Sequence, residues 1–373
     1  MSLRKSVLKK ARRIVVKLGT QLLTAPEGDK FNLDVTYIHA IAEQVAALRR
    51  RRIEVTLVSS GAIGAGCMEL GLSKRPTDVA QLQAIAAAGQ PRLMTLFHQA
   101  FEKQGIKIAQ LLLTRDDFEQ RVRFLNIRNS VNHLHKIGCV PIINENDTVS
   151  VDELRFGDND ILAALVCNAL RADALVILFP LDGLLDAKGQ TVDLVTDILA
   201  AADAVQETKT TFGTGGMSTK LHAARLVSDA GEPVVIANGR HPDILQRLFD
   251  AERIGTVFAP AGRKLDSRQR WIGLTKKPVG TVTIDAGAST ALQSRGKSLL
   301  ASGVVDATGR FEYGEVVLVR DETGREVARG LINYSADELH LIMGRRSDQL
   351  EKILGRKAYV EVVHRDNLVL TRT

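Results

Sequence analysis

The stretch RIVVKLG, residues 13–19, decides how the rest of the chain is read. Ile14, Val15, Val16 and Leu18 are apolar without alternation, which describes a strand buried on both faces. Lys17 interrupts that run just before its end. A lone ammonium inside such a strand is costly unless it is paired or put to use. Gly19 then opens the turn that leaves the strand.

Outward from there, short β-branched runs alternate with longer helical patterns. LDVTYIHAIAEQVAALRRRR (33–52) predicts an amphipathic helix and IEVTLVSS (53–60) a second strand. Helical stretches follow over 78–104, with a kink at Pro91, and over 116–136, 158–172 and 215–231. Strands fall between them at 106–113, 139–144, 173–179 and 233–238. This is an α/β chain: an αβα sandwich with a mostly parallel central sheet. Near residue 260 the character changes. A polar, turn-rich segment gives way to short strands punctuated by glycine, GTVTIDAGA (280–288), GEVVLVRDETG (314–324) and EVARGLINY (326–334), with room only for short helices. The expected organisation is a basic N-terminal arm (1–13), an α/β domain (14–260), a linker (261–278) and a small, mostly-β C-terminal domain (279–373).

Of 373 residues, 45% are hydrophobic and 25% charged, so there is ample material for two cores. The net charge of +7 has a local origin. Arg4, Lys5, Lys9, Lys10, Arg12 and Arg13 stand in the first thirteen residues without one acid, and read as a solvated arm. Residues 279–373 carry 13 basic and 13 acidic groups and no net charge, which speaks against a broad nucleic-acid face. Cys67, Cys139 and Cys167 are widely spaced and form no C-x-x-C, as fits a reduced, cytoplasmic protein. No apolar window approaches the length of a membrane span. His133 and His135, two apart on a helix, face different ways and make a poor metal pair. Trp271 reads as a packing anchor.

Ligands of open α/β sheets bind beyond the carboxyl ends of the strands. Five features fall there: Lys17 and Gly19 after the first strand; Ser60, Gly61 and Gly64 in SSGAIGAG after the second; Glu145 and Asp147 in NENDTV; Asp158, Asn159 and Asp160 in FGDND; and TFGTGGMSTK (211–220), which opens a helix without matching the P-loop spacing. Their joint chemistry is phosphoryl transfer, which needs cations and N–H donors around a migrating phosphoryl group. Lys17 and Lys220 can grip that group from two sides, and Asp160 can hold both lysines in place.

In this order, VVKLGT, SSGAIGAG, AAAGQPRLM, LLLTRDDF, NENDTV, GDND and GTGGMSTKLHAA, with VVHRD near the end, resemble the glutamate-phosphorylating members of the amino acid kinase family that carry a C-terminal PUA domain. The resemblance spans nearly the whole length. It implies transfer of phosphate from ATP to the γ-carboxylate of L-glutamate, the first step of proline synthesis, with Mg²⁺ bound mainly through the nucleotide. Residue by residue, it implies that Ser60, Asp147 and Asn159 hold glutamate. Thr214, Gly215, Gly216, Met217, Ser218, Thr219 and Lys220 would hold ATP, with Lys17 and Lys220 as transition-state cations, Asp160 as their organiser, and Gly19 and Gly61 as phosphate-loop backbone. It also implies a homo-oligomer, proline as an inhibitor and a glutamyl phosphate reductase as partner, while RNA binding by the PUA-like domain is not favoured. The chain departs from the family at Phe179-Pro180, where Ser/Thr-Asp usually contacts the nucleotide; backbone groups and a shifted loop are then expected to hold the base. The segment 186–212 also reads as shorter than the family's. Another carboxylate substrate, an RNA-binding scaffold and an amino-acid sensor that binds little nucleotide are the alternatives.

Overall fold

In the computed structural model the described residues are 4, 8–24, 32–150, 159–186, 188–201, 216–262 and 264–371. They form two compact units, residues 1–117 with 122–264 and residues 118–121 with 265–373.

The first unit is built on an eight-stranded sheet. Its strands are β1 (Arg13–Leu18), β2 (Glu54–Val58), β3 (Ile108–Leu113), β4 (Val140–Glu145), β5 (Ala174–Phe179), β6 (Leu194–Val195), β7 (Val234–Asn238) and β8 (Thr256–Phe258), in the order β3-β4-β2-β1-β5-β7-β8-β6. Only β7 and β8 pair antiparallel. Side chains alternate across β1, so Ile14, Val16 and Leu18 enter one core, while Val15 and Lys17 face the other side. The first core is filled from helices α1 (Val35–Arg50), α2 (Ala62–Glu69) and α3 (Val79–Glu102) by residues such as Ile41, Ala65 and Phe97. Helices α4 (Arg121–Lys136), α5 (Asp160–Leu170) and α6 (Met217–Asp229) follow in the chain. A sheet covered by helices with β1 at its centre is the αβα sandwich expected. The chain leaves β1 toward β2 and leaves β5 toward β6, on opposite sides, so the crevice where connections diverge lies between β1 and β5.

Three details differ from expectation. The predicted helix over 116–136 is two helices, Arg115–Glu119 and α4. The sheet gains β6 and β8, each too short to show a periodic pattern. The arm is not simply solvated: Arg4 is only 5% exposed, pairs with Asp193 at 2.7 Å and donates to the Gly255 carbonyl at 2.9 Å, while Leu8 and Ala11 are buried. The apolar spacing of Leu8 and Ala11, together with free carbonyls before β8, gives the guanidinium a better place than water. The helix expected over 78–104 is present as one element, Val79–Glu102, with Pro91 inside it.

The second unit holds a five-stranded sheet ordered β11-β9-β12-β13-β15, made of β9 (Gly280–Ile284), β11 (Val304–Gly309), β12 (Val316–Asp321), β13 (Glu326–Leu331) and β15 (Leu368–Leu370), beside a two-stranded β10 (Leu299–Leu300)–β14 (Glu361–Val363) ribbon. Val282, Val317, Val319, Leu339 and Tyr334 fill its core. Trp271 anchors residues 118–121 within this unit: its indole N–H donates to the Phe118 carbonyl at 3.1 Å and its ring carries the Arg121 guanidinium 5.4 Å from the centroid. Among the described residues no helix is long and apolar enough to cross a membrane.

Two glycines bring α2 and α3 into backbone contact. A Cβ on Gly66 would stand 1.9 Å from the Ile85 carbonyl oxygen, and one on Gly89 2.0 Å from that of Ala62. Gly89→Ala is therefore expected to lower unfolding free energy by at least about 1–3 kcal/mol, read from urea midpoints; an unchanged midpoint refutes the close contact.

His135 faces β2, where its Nε2 lies 2.9 Å from the Thr56 hydroxyl. Burial pushes its pKa down to about 4, against the pull of Glu54 and with help from Arg13 and Arg49. A folded-state value below the unfolded one means the unfolded chain takes the proton more readily. The stability this neutral ring contributes is complete above about pH 6.5 and is lost as pH falls toward about 4. His135→Gln should flatten stability across that window, and an equally steep slope in the variant would refute the assignment.

Candidate active site

Three side chains at the carboxyl edge of the sheet share one bond network. Lys17, at the end of β1, places its ammonium 2.7 Å from Asp160 Oδ1. Lys220, in the first turns of α6, places its own 2.9 Å from Asp160 Oδ2 and 3.4 Å from the Gly216 carbonyl. Lys17 is 3% exposed, Lys220 7% and Asp160 0%. One carboxylate thus holds two ammoniums, one on each oxygen, in a site nearly sealed from water. Each element has a local reason for its part. The alternation of β1 turns Lys17 away from the Val16 core, Asp160 stands at the start of α5, and Lys220 sits one turn into α6. Thr219 adds its hydroxyl, 3.2 Å from the Gly216 carbonyl and 3.4 Å from Asp160 Oδ2.

The backbone around this triad is drawn in by glycines. Gly19 donates its N–H to the Leu178 carbonyl at 3.0 Å across the β1–β5 crevice, and a Cβ there would lie 3.1 Å from that oxygen. Gly61 adopts φ +96° just before α2, a conformation that favours glycine. The starts of α2, α5 and α6 follow strand ends or loops that carry predicted residues; none has a side-chain cap on its N-cap residue, and each has a positive dipole end.

Of the predicted substrate residues, Ser60 is buried and its hydroxyl has no hydrogen-bond partner among the described residues. Asn159 precedes α5 and is bound through its amide: Nδ2 donates to the Ser59 carbonyl at 2.6 Å and to Asn144 Oδ1 at 2.8 Å. Asp147 is half-buried in the turn after β4. Within the predicted nucleotide run, Gly216, Met217 and Thr219 are half-buried and Ser218 is exposed at the start of α6, while Thr214 and Gly215 lie outside the described residues, as do Asp158 and, within 186–212, residues 187 and 202–212. Phe179, which replaces a hydrogen-bonding residue of the family pattern, is buried with its ring centroid 5.5 Å from the Lys220 ammonium. An aromatic face there still stabilises a cation, though it binds no base edge.

Two residues escaped the sequence reading. Asn144 is the penultimate residue of β4, and its Nδ2 donates to Gln90 Oε1 of α3 at 2.9 Å. An amide at the end of the buried run VPIINE, and a lone glutamine on the buried side of an Ala-rich helix, were the available signals.

The model of the amino acid kinase family matches residues 12–238 and that of the PUA domain residues 280–354. The glutamate 5-kinase of Geobacter sulfurreducens is 46% identical over 99% of this chain and 100% of its own, and that of Caldanaerobacter subterraneus is 44% identical over 96% of this chain and 97% of its own. Among solved structures, a carbamate kinase from Giardia lamblia bound to AMP-PNP has a TM-score of 0.48 at 18% identity, covering 67% of this chain and 99% of that one. On the full-length identities and the two domain matches, the chain belongs to the glutamate 5-kinases of the amino acid kinase family and carries a PUA domain.

Proposed function

We propose that this chain transfers the γ-phosphoryl group of ATP to the γ-carboxylate of L-glutamate, giving L-glutamyl 5-phosphate and ADP, the entry step of proline synthesis. The observation that carries the reading is the pairing of Lys17 and Lys220 on one Asp160 carboxylate at the divergence of β1 and β5.

A carboxylate acceptor is ionised at neutral pH and needs no general base. One carboxylate oxygen attacks the γ-phosphorus, the bond from phosphorus to the β–γ bridging oxygen breaks, and ADP carries off the electron pair. What the reaction demands is relief of charge, because two anions meet and the transition state spreads charge over the phosphoryl oxygens. Lys17 and Lys220 approach from separate elements and supply that relief, while Asp160 fixes their separation before substrate arrives. The N-terminus of α6, with Gly216 through Lys220, receives the nucleotide phosphates, and Ser60, Asp147 and Asn159 receive the amino acid. Among the described residues no cluster of three or more His, Cys, Asp or Glu is placed to hold a metal. Mg²⁺ fits this site as a companion of the nucleotide, where it would screen the phosphate charge. The acyl phosphate product is labile, which calls for a reductase that consumes it promptly.

With Mg-ATP and a panel of amino acids, trapping of the product as hydroxamate should give robust turnover on L-glutamate and little on aspartate; preference for another carboxylate overturns the substrate assignment. Lys17→Ala and Lys220→Ala should each lower kcat on the order of 10²–10³-fold while the circular dichroism spectrum is retained; near-normal kcat in either one removes that lysine from the chemistry. Asp160→Ala leaves two ammoniums buried without their shared counter-charge, so it should lower both kcat and Tm, with a stability loss of about 3–5 kcal/mol. An unchanged Tm would contradict the buried triad.

A further inference from the structure

The amide chain behind the proposed glutamate site has a fixed polarity. The Glu145 backbone N–H donates to Asn144 Oδ1 at 3.0 Å, and a backbone N–H can only donate. Asn144 therefore presents its oxygen to Glu145 and to Asn159, and turns its NH₂ to Gln90, whose Oε1 accepts at 2.9 Å. Asn159 in turn spends its NH₂ twice, on Asn144 Oδ1 and on the Ser59 carbonyl. Its Oδ1 accepts nothing among the described residues, so the one atom Asn159 has left for a ligand is an acceptor.

Gln90 is buried, 9% exposed, and its Nε2 has no hydrogen-bond partner among the described residues. A half-satisfied buried amide weakens a fold, so stability is a poor reason for a glutamine here. The helix that carries it is pressed against α2 by Gly89, which sets the Gln90 carboxamide at the end of β4.

We propose that Gln90 is a positioning residue for amino-acid recognition: by holding Asn144 it keeps Asn159 turned with its carboxamide oxygen toward the substrate, where it reads the α-ammonium. The inference rests on the assignment of Asn159 to the amino acid. An acceptor at that point favours a donating group, so a dicarboxylate that lacks the ammonium is discriminated against.

The test compares wild type, Gln90→Met, Asn144→Ala and the double variant with L-glutamate and with glutarate, alongside thermal melting. Methionine fills the same space and offers no acceptor of comparable strength. Gln90→Met should raise KM for L-glutamate about tenfold, the worth of one lost hydrogen bond, with KM for ATP unmoved and the preference for L-glutamate over glutarate reduced. Its Tm should change little, because losing the unpartnered Gln90 Nε2 offsets leaving Asn144 Nδ2 without its acceptor, so a KM effect without a Tm effect separates positioning from structure. Because Gln90 acts through Asn144, the double variant should bind L-glutamate no worse than Asn144→Ala alone. An unchanged KM in Gln90→Met, additive losses in the double variant, or a fall in Tm with all kinetic constants moving together each overturns the proposal. Wild-type enzyme inactive on L-glutamate would instead overturn the functional reading, so the two failures are distinct.

Discussion

One carboxylate between two ammoniums is the interaction on which the rest of this molecule depends. Asp160 is fully buried, and without Lys17 and Lys220 its charge would not be tolerated there. The reverse holds as well: two ammoniums facing one cleft repel each other strongly in a medium of low effective dielectric unless an anion lies between them. The three groups come from a strand and two helices far apart in sequence, so they can meet only if the sheet order and the helix crossings are correct. Counted by themselves, two ammoniums and one carboxylate carry a net single positive charge, which suits an anionic ligand.

Backbone proximity is the second constraint, and it is glycine that permits it. Gly19 lies against the Leu178 carbonyl, Gly61 turns left-handed before α2, and Gly66 and Gly89 let α2 and α3 touch. Each brings main-chain or amide groups close to the edge where the lysines converge. A side chain at Gly66 or Gly89 would push apart the two helices that carry the second wall of the site, so packing and recognition are linked at those two residues.

Much of this was legible in the chain because it rests on short-range pattern. Buried strands read as unbroken apolar runs, and Lys17 stood out because nothing else charged interrupts RIVVKLG. The role of Asp160 as a partner for both lysines could be anticipated once the strand ends were lined up. What stayed hidden depends on long-range partners. Arg4 read as part of a solvated arm since its acceptors, Asp193 and the carbonyls near Gly255, lie some 190 to 250 positions away. β6 and β8, of two and three residues, carry no period to detect. Gln90 and Asn144 are ordinary polar residues in sequence, and only their bond to each other gives them meaning.

The division of labour within the site follows from that bond. The half proposed to meet the phosphoryl group is ionic, with Lys17 and Lys220 held on Asp160. The half assigned to the amino acid combines one carboxylate, Asp147, with neutral groups, the hydroxyl of Ser60 and the amides of Asn159, Asn144 and Gln90. Neutral amides can impose direction without adding charge, so they can sort a zwitterionic head group while leaving the potential at the phosphoryl group to the two lysines. A charged residue in place of buried Asn144 would have to be compensated nearby. Under the proposed assignment, orientation by amides keeps recognition and charge relief from competing for the same cations.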